Sequence, residues 1–401
     1  MSCCKSPYIL IAQQNWYDDL ASNIRNLAVG FSKTHKVLYI NPPLDINTII
    51  KHGNKQQTRQ RIRLAFGTKK NTINVCENIW VHTPASVNLS INWVSHHTLF
   101  NKLNQTNAFA FFKSIKKAMK ALGWSPSDCI VFNDSQMFVG MHINQFLKPK
   151  QNFYYIRDNL VHHPYFKRHG SRIEPITIKE ANAVFTNSTY LADYAKHYNI
   201  NSLDIGQGCE LEIYNPHNLH QEPDDMKGIP HPRIGFIGFL TGERLDINLL
   251  ENLASKNKKW QWVLIGPEEK MFQQSKLHQI ENVHFLGAKK SDELPAYLQH
   301  LDVSINPQLV NELTVGNYPR KIDEYLAMGK PVVATNTPAM KMFLPHVHLA
   351  LGCDEYMVAI DKALTQHTKE KANAAIAVAK SHTWENCINK IYKKQIEILN
   401  A

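Results

Sequence analysis

Between Asn306 and Thr335 the chain reads NPQLVNELTVGNYPRKIDEYLAMGKPVVAT, the stretch whose residue types and spacing are best suited to chemistry. Asp302–Pro307 ends a strand in a loop, Tyr318 and Pro319 break the chain, and a helix is expected from about Arg320 to Met328. Gly329 caps that helix and Pro331–Ala334 returns as a strand. A helix that opens beside a strand end aims free N–H groups and a positive dipole into the crevice there, which suits a diphosphate. Glu324, one turn into the helix, is acceptor-only with two oxygens, so it can take hydrogen bonds from two vicinal hydroxyls of a ribose. The same Glu can equally be a solvated helix residue.

Such residues need strand ends to hold them, and the chain supplies two series of strands. Tyr8–Ala12 (YILIA) reads as a buried strand, Leu20–Ser32 as an amphipathic helix and Val37–Ile40 (VLYI) as the next strand. Cys129–Phe132, Phe153–Ile156 and Ala183–Thr186 follow, each short and apolar, with helical segments between them. A polar, Pro-bearing stretch at Asn215–Pro232 has the makeup of a linker, so 1–215 is expected as one domain and 216–231 as the connection. The second series spans 232–382: Arg233–Ile237, Trp262–Ile265, Val283–Leu286, Val303–Ile305 and Pro331–Ala334. This alternation predicts α/β architecture with two parallel-sheet, Rossmann-like domains. Seven glycines (235, 238, 242, 266, 287, 316, 329) fall in the second series, several just after a strand, which places a nucleotide-type site there.

The chain has 401 residues, 43% apolar, 10% aromatic and 20% charged, a globular composition long enough for two cores. Its formal net charge is +11, and residues 1–220 carry all of the surplus, with 24 basic against 13 acidic side chains. Residues 221–401 hold 21 of each. Lys51–Lys70 reads as a mobile basic loop, and Phe109–Leu122 as a basic amphipathic helix with Phe112, Ile115, Met119 and Leu122 on one face and Lys113, Lys116, Lys117 and Lys120 on another. That helix either packs on its own domain or, together with 51–70, meets an anionic membrane surface. Seven scattered cysteines with no CxxC pair indicate neither a disulfide framework nor a zinc site, and Cys3 and Cys4 are free thiols or acylation sites. No secretory layout and no apolar run of about 18 residues is present, which points to the cytoplasm with peripheral contact at the inner face of the membrane.

The absence of G-x-G-x-x-G in the first βα turn (Ala12–Asp19) disfavours an NAD enzyme, and P-loop and G-x-S-x-G patterns are missing too. No two aspartates are separated by a single residue, so the Asp-x-Asp metal arrangement is absent and neither metal nor cofactor is expected. A nucleic-acid binder using the basic half would show a recognisable module, and none is found, so no nucleic-acid partner is expected.

Lys321–Thr335 (KIDEYLAMGKPVVAT) resembles the nucleotide-sugar signature of the GT-B glycosyltransferases of the large retaining family 4, especially bacterial teichuronic-acid and capsule transferases. The resemblance continues through 232–250, 260–267 and 282–287, and in the first domain through Glu180–Asn199 and Gly206–Glu210. It implies two Rossmann-like domains facing each other across a cleft, with a last helix in 383–401 crossing back to the first. It also implies a sugar moved from a nucleotide diphosphate sugar to a glycan or lipid-linked acceptor. Glu324 falls on the Glu that holds the donor ribose. Where the family has its first Glu, this chain has Gly316, and Tyr318-Pro319 stands in place of Phe-Gly. Glu312 lies four residues upstream and is the candidate replacement. By resemblance the diphosphate cation is Arg244, seconded by Lys270 or Lys321, and the donor contacts run through Gly238, Gly316, Asn317, Tyr318 and Pro319. Fixed cations and N–H groups stabilise a departing diphosphate without a metal. On the acceptor side Asp158, after FYYI, is the candidate base, with His162 and His163 close behind; it can as well cap a helix or pair with Arg157. A nucleotide-sugar epimerase on the same architecture is the competing enzyme class.

Overall fold

In the computed structural model the described residues are 6–18, 22–65, 71–209, 212–312 and 314–400. Cys3, Cys4, Asp19, Lys69, Lys70 and Glu210, which figured in the sequence reading, lie outside them. The chain divides into a first unit of Met1–Gly206 with Cys387–Ala401 and a second of Gln207–Asn386.

The first unit is built on β1 (Tyr8–Ile11), β2 (Val37–Ile40), β3 (Leu44–Asp45), β4 (Thr72–Cys76), β5 (Ile79–His82), β6 (Val87–Asn88), β7 (Ile130–Asp134), β8 (Gln151–Ile156), β9 (Ala183–Thr186) and β10 (Ser202–Asp204). Eight of these form one sheet in the order β10-β9-β8-β7-β1-β2-β5-β4, parallel except where β4 runs against β5; β3 and β6 pair separately. Strands β1, β2, β7, β8 and β9 are buried along their whole length, as a sheet covered on both faces requires. The covering helices are α1 (Asn23–Ser32), α2 (Ile46–His52), α3 (Gln56–Ala65), α4 (His97–Ala121), α5 (Met137–Gly140), α6 (Ile143–Phe146), α7 (Pro164–Glu180) and α8 (Thr189–Lys196). Strand order turns back at β1, whose neighbours are β2 and β7.

Two sequence expectations change here, and for a third one of its two alternatives holds. The stretch 51–65, read as part of a mobile loop, carries the end of α2 and all of α3. Gln, Arg, Leu and Ala favour helix, and Arg61 ties α3 down by donating to the carbonyls of Pro42 (3.1 Å) and Pro43 (3.3 Å). The basic amphipathic helix is the last part of α4, and Phe112, Ile115 and Met119 are at most 1% exposed in a core with Ile9, Leu38 and Val131. Its apolar face is therefore used up inside the unit and is not available to a bilayer, while Lys113, Lys116, Lys117 and Lys120 stay exposed. The segment 216–231, read as a linker, packs on the second unit. Met226 and Ile229 join its core, and the Arg233 guanidinium donates to the Met226 carbonyl (2.9 Å), to the Ile229 carbonyl (2.6 Å) and to Glu222 (2.5 Å).

The second unit has β11 (Arg233–Ile237), β12 (Gln261–Ile265), β13 (Val283–Gly287), β14 (Val303–Asn306), β15 (Val332–Thr335) and β16 (His348–Ala350), all parallel in the order β13-β12-β11-β14-β15-β16. Its helices are α9 (Ile247–Lys256), α10 (Lys270–Gln273), α11 (Leu294–Gln299), α12 (Lys321–Ala327), α13 (Gly352–Thr365) and α14 (Lys369–Ser381). Two apolar clusters sandwich the sheet, one around Leu298, Leu326 and Phe343 and one around Leu250, Trp262 and Ile360. The last helix, α15 (Trp384–Asn400), belongs from Cys387 onward to the first unit, where Tyr8 donates to Gln395 (2.5 Å) and Thr34 pairs with Tyr392 (2.9 Å).

Candidate functional site

At the carboxyl ends of the second sheet, three loops are laced backbone to backbone. Strand β11 runs into Gly238 at φ +150° and β12 into Gly266 at φ +145°, conformations that L side chains avoid. A Cβ on Gly266 would fall on the carbonyl oxygen of Gly238, so both glycines are needed for the close approach. Gly238 N–H donates to Ile265 O (2.8 Å), Leu240 N–H to Pro267 O (2.9 Å), and Glu269 N–H back to Leu240 O (3.0 Å). On the other side Asp246 N–H donates to Pro307 O (2.9 Å) and Leu309 N–H to Arg244 O (2.8 Å). Since β11 lies between β12 and β14, the strand order reverses at β11/β14, which is where open α/β sheets hold ligands.

Charge is gathered at this point. Lys321, the first residue of α12, lays its Nζ 4.7 Å from the centroid of the Phe236 ring. Burial pulls its pKa down to about 8; the Glu324 carboxylate opposes the shift, and the Arg244 and Arg320 guanidiniums add to it. The structure thus brings Gly238, Arg244, Lys321 and Glu324 together. Lys270 opens α10 and Glu312 lies in the loop before α12, and both are exposed. Glu324 accepts from Arg320 Nε through Oε1 at 3.2 Å, with its side chain 14% exposed. The phenol of Tyr214 is buried, its pKa raised by desolvation and further by Glu324.

The loop before α12 is folded by Asn311 and Thr314, which exchange hydrogen bonds (Asn311 N–H to Thr314 Oγ1, 3.1 Å; Thr314 N–H to Asn311 Oδ1, 3.0 Å). Gly316 is buried and Pro319 half-buried. Asn317 is 7% exposed, and neither its amide oxygen nor its nitrogen has a partner. A buried, unsatisfied amide costs about 1–3 kcal/mol, so it calls for a ligand or another explanation. The Tyr318 hydroxyl donates to the fully buried Asp323 (2.6 Å), which also takes a hydrogen bond from His382 Nδ1 (2.8 Å). The ring is a structural member of that buried polar cluster, and its O–H is committed.

In the first unit, Asp158 is half-buried just beyond β8. Arg157 donates to Asp134 at the end of β7 (Nε, 3.0 Å) and to Gln13 Oε1 (3.3 Å), and it also feels the charge of Asp158; Asp134 accepts from Gln13 N–H as well (3.3 Å). Asp134 is fully buried, with its pKa raised by desolvation against the pull of Arg157. This group sits at the β1/β7 reversal of the first sheet, and sequence reading missed it. The signal was an acid closing an otherwise apolar strand. Arg320 was missed as well, although its spacing of four from Glu324 is that of a helical ion pair.

Residues 231–369 match the family model described as glycosyl transferases group 1. A Bacillus subtilis (strain 168) protein, TuaH, named as a provisional teichuronic acid biosynthesis glycosyltransferase, is 28% identical over 193 residues, 46% of this chain and 48% of that one. The chain thus spans about half the length of the curated relative it matches. Among solved structures, HepE of Anabaena in complex with UDP superposes with a TM-score of 0.64 at 16% identity, covering 98% of this chain and 100% of that one. HepE with UDP-glucose gives 0.65 at 16%, over 97% and 99%. Sucrose-phosphate synthase of Thermosynechococcus elongatus gives 0.66 at 14%, over 98% and 100%. Residues 231–369 are therefore similar to the glycosyl transferases group 1 family, and the chain has the GT-B fold.

Proposed function

We propose that the protein is a glycosyltransferase that moves a sugar from a nucleoside diphosphate sugar to a glycan acceptor of the cell envelope, lipid-linked or polymeric. The observation that carries the reading is Lys321 at the strand-order reversal, with Arg244, Arg320 and Glu324 near enough to act on its charge and Arg320 paired with Glu324. As the bond from the sugar to the diphosphate breaks, negative charge grows on the leaving group, and cations already in place stabilise it with little reorganisation. Arg244 and Lys321 take the phosphates, Glu324 the ribose hydroxyls, and the Asn317 amide the sugar in place of the carboxylate that Gly316 lacks. The charge is supplied by side chains, and the reading is of a metal-independent enzyme. Retention at the anomeric carbon rests on the resemblance of 321–335 alone. The HepE complexes with UDP and UDP-glucose make UDP the first nucleotide to try.

The neutral balance of 221–401 and the basic surplus of 1–220 assign the excess charge to the acceptor side. Exposed Lys51, Lys55 and Arg59 with the α4 lysines attract an acidic acceptor or an anionic leaflet from the cytoplasmic side. Among the described residues no helix is long and apolar enough to cross a membrane. The test is a thermal-shift screen with UDP, GDP, dTDP, CMP and ADP on the wild type and Glu324→Ala. Ligand at 100 times its Kd contributes about 2.7 kcal/mol, so at least one nucleoside diphosphate should raise Tm clearly in the wild type and less in the variant. If none stabilises the wild type, the donor-site reading fails.

A further inference from the structure

The first unit contains a cavity of about 390 Å³ beside α2, the loop before α4 and the start of α7. Two aromatic side chains line it, Trp93, 74% exposed, and Tyr165, 56% exposed. Both are held by their backbones. Arg168 Nη1 donates to Trp93 O (2.7 Å) and to Asn92 O (3.2 Å), while Asn92 Nδ2 donates to Tyr165 O (3.1 Å). The facing wall is equally fixed, because Asp45 accepts from Asn47 N–H (2.8 Å) to cap α2 and from Ser90 Oγ (2.5 Å). The Asp45 carboxylate acts electrostatically on the Tyr165 phenol, so the two walls share one space.

We propose that this cavity is a saccharide-binding subsite, with Trp93 and Tyr165 as stacking platforms and Asn47, Asn92, Lys51 and Asp45 as the groups that read hydroxyls. A pyranose ring offers one apolar C–H face and a rim of hydroxyls that both donate and accept. It therefore needs a flat apolar surface beside amides, a carboxylate and an ammonium, and the cavity supplies each of these. The volume accommodates one or two sugar rings. A lipid chain would want an aliphatic lining, and among the described residues no Leu, Ile, Val or Met lines this cavity, whose apolar surface comes with aromatic rings and polar side chains. Large rings left exposed while hydrogen bonds fix their backbones are preorganised for contact, which lowers the entropy lost on binding. That the bound saccharide is the acceptor glycan rests on the glycosyltransferase reading; that the cavity binds a saccharide does not.

The experiment is saturation-transfer NMR with maltotriose, cellotriose, chitotriose and trigalacturonate on the wild type, Trp93→Ala and Tyr165→Ala, with UDP-induced thermal shift measured on the same samples. At least one trisaccharide should bind the wild type and weaken tenfold or more in Trp93→Ala, with Tm and the UDP shift unchanged because Trp93 is exposed and belongs to the first unit. No saturation transfer from the wild type to any trisaccharide, in a protein that UDP stabilises, overturns the subsite and leaves the donor reading standing. Binding that survives both substitutions overturns it too. Flotation with phosphatidylglycerol vesicles that is lost in Trp93→Ala, without saccharide binding, would reassign the patch to a lipid surface. Loss of the UDP shift in the wild type, with saccharide binding intact, would instead sink the donor reading alone.

Discussion

The Lys321 side chain lies against the backbone of Gly238: a methyl group added there would stand 3.1 Å from Lys321 Cε and 3.4 Å from its Nζ. Gly238→Ala thus combines a disfavoured φ of +150° with a displaced ammonium. UDP binding should weaken by about tenfold, about 1.4 kcal/mol, while the fold survives. At Gly266 the obstacle is backbone rather than a flexible side-chain end, so Gly266→Ala should cost about 3 kcal/mol or more of stability. Urea unfolding of the two variants checks the contrast.

Lys321 titrates near 8, where burial and the neighbouring guanidiniums have brought it. A free ammonium that is lost above that value can no longer attract a diphosphate. UDP affinity should be steady from pH 7 to 7.5 and fall between pH 8 and 9.5, by at most about tenfold per unit. In Lys321→Met the profile should be flat over that range. Calorimetric titrations at four pH values decide it, and a wild-type affinity independent of pH would contradict the assignment.

The Arg320–Glu324 pair, 3.2 Å apart, is the contact a ribose would have to share or displace. Glu324→Gln keeps the shape and removes the charge but leaves an amide oxygen to accept, so UDP affinity should fall by about three- to tenfold, a loss of about 1 kcal/mol, that of an ordinary hydrogen bond. CDP should fall in parallel, since the ribose is common to both. Arg320→Ala should leave Tm within a few degrees, because a half-exposed pair contributes little.

Glu174 is buried between two phenols, Tyr154 donating to Oε1 (2.9 Å) and Tyr194 to Oε2 (3.2 Å). Desolvation raises its pKa from 4.5 to about 7, and the two phenol O–H groups pull the other way. The folded state therefore holds this proton more tightly than the unfolded chain. Its contribution is complete below pH 4.5 and is lost as pH rises through 7, an effect of about 3 kcal/mol. Urea midpoints should fall from pH 5 to pH 8 in the wild type and vary less in Glu174→Gln, which should be the more stable at pH 8. Parallel pH profiles for the two proteins would refute this.

Strand positions were legible wherever a short apolar run is buried on both faces: Ala183–Thr186 and Arg233–Ile237 fall where the sequence places them. Strand β4 was not legible, because TINVC is an edge strand with few buried side chains and carries little apolar pattern. Helix α3 was hidden by its arginines, which read as solvated charge until Arg61 is seen folded back on two carbonyls. Gly238, Arg244, Lys321 and Glu324 were readable because glycines after strands and charges before a helix keep a local order. The partners of the Tyr318 hydroxyl were not legible, since His382 is 64 positions away and only the fold brings it to Tyr318 and Asp323. Asp134 and Arg157 met the same limit, lying 23 positions apart.

The central claim is that Lys321 and its neighbours hold the diphosphate of a sugar nucleotide. Isothermal titration of UDP and of uridine into the wild type and Lys321→Met tests it most directly. The account predicts that UDP binds the wild type, that Lys321→Met weakens UDP at least tenfold, and that uridine binds both proteins equally. Equal UDP affinity for the two proteins, in samples with the same Tm, would contradict it.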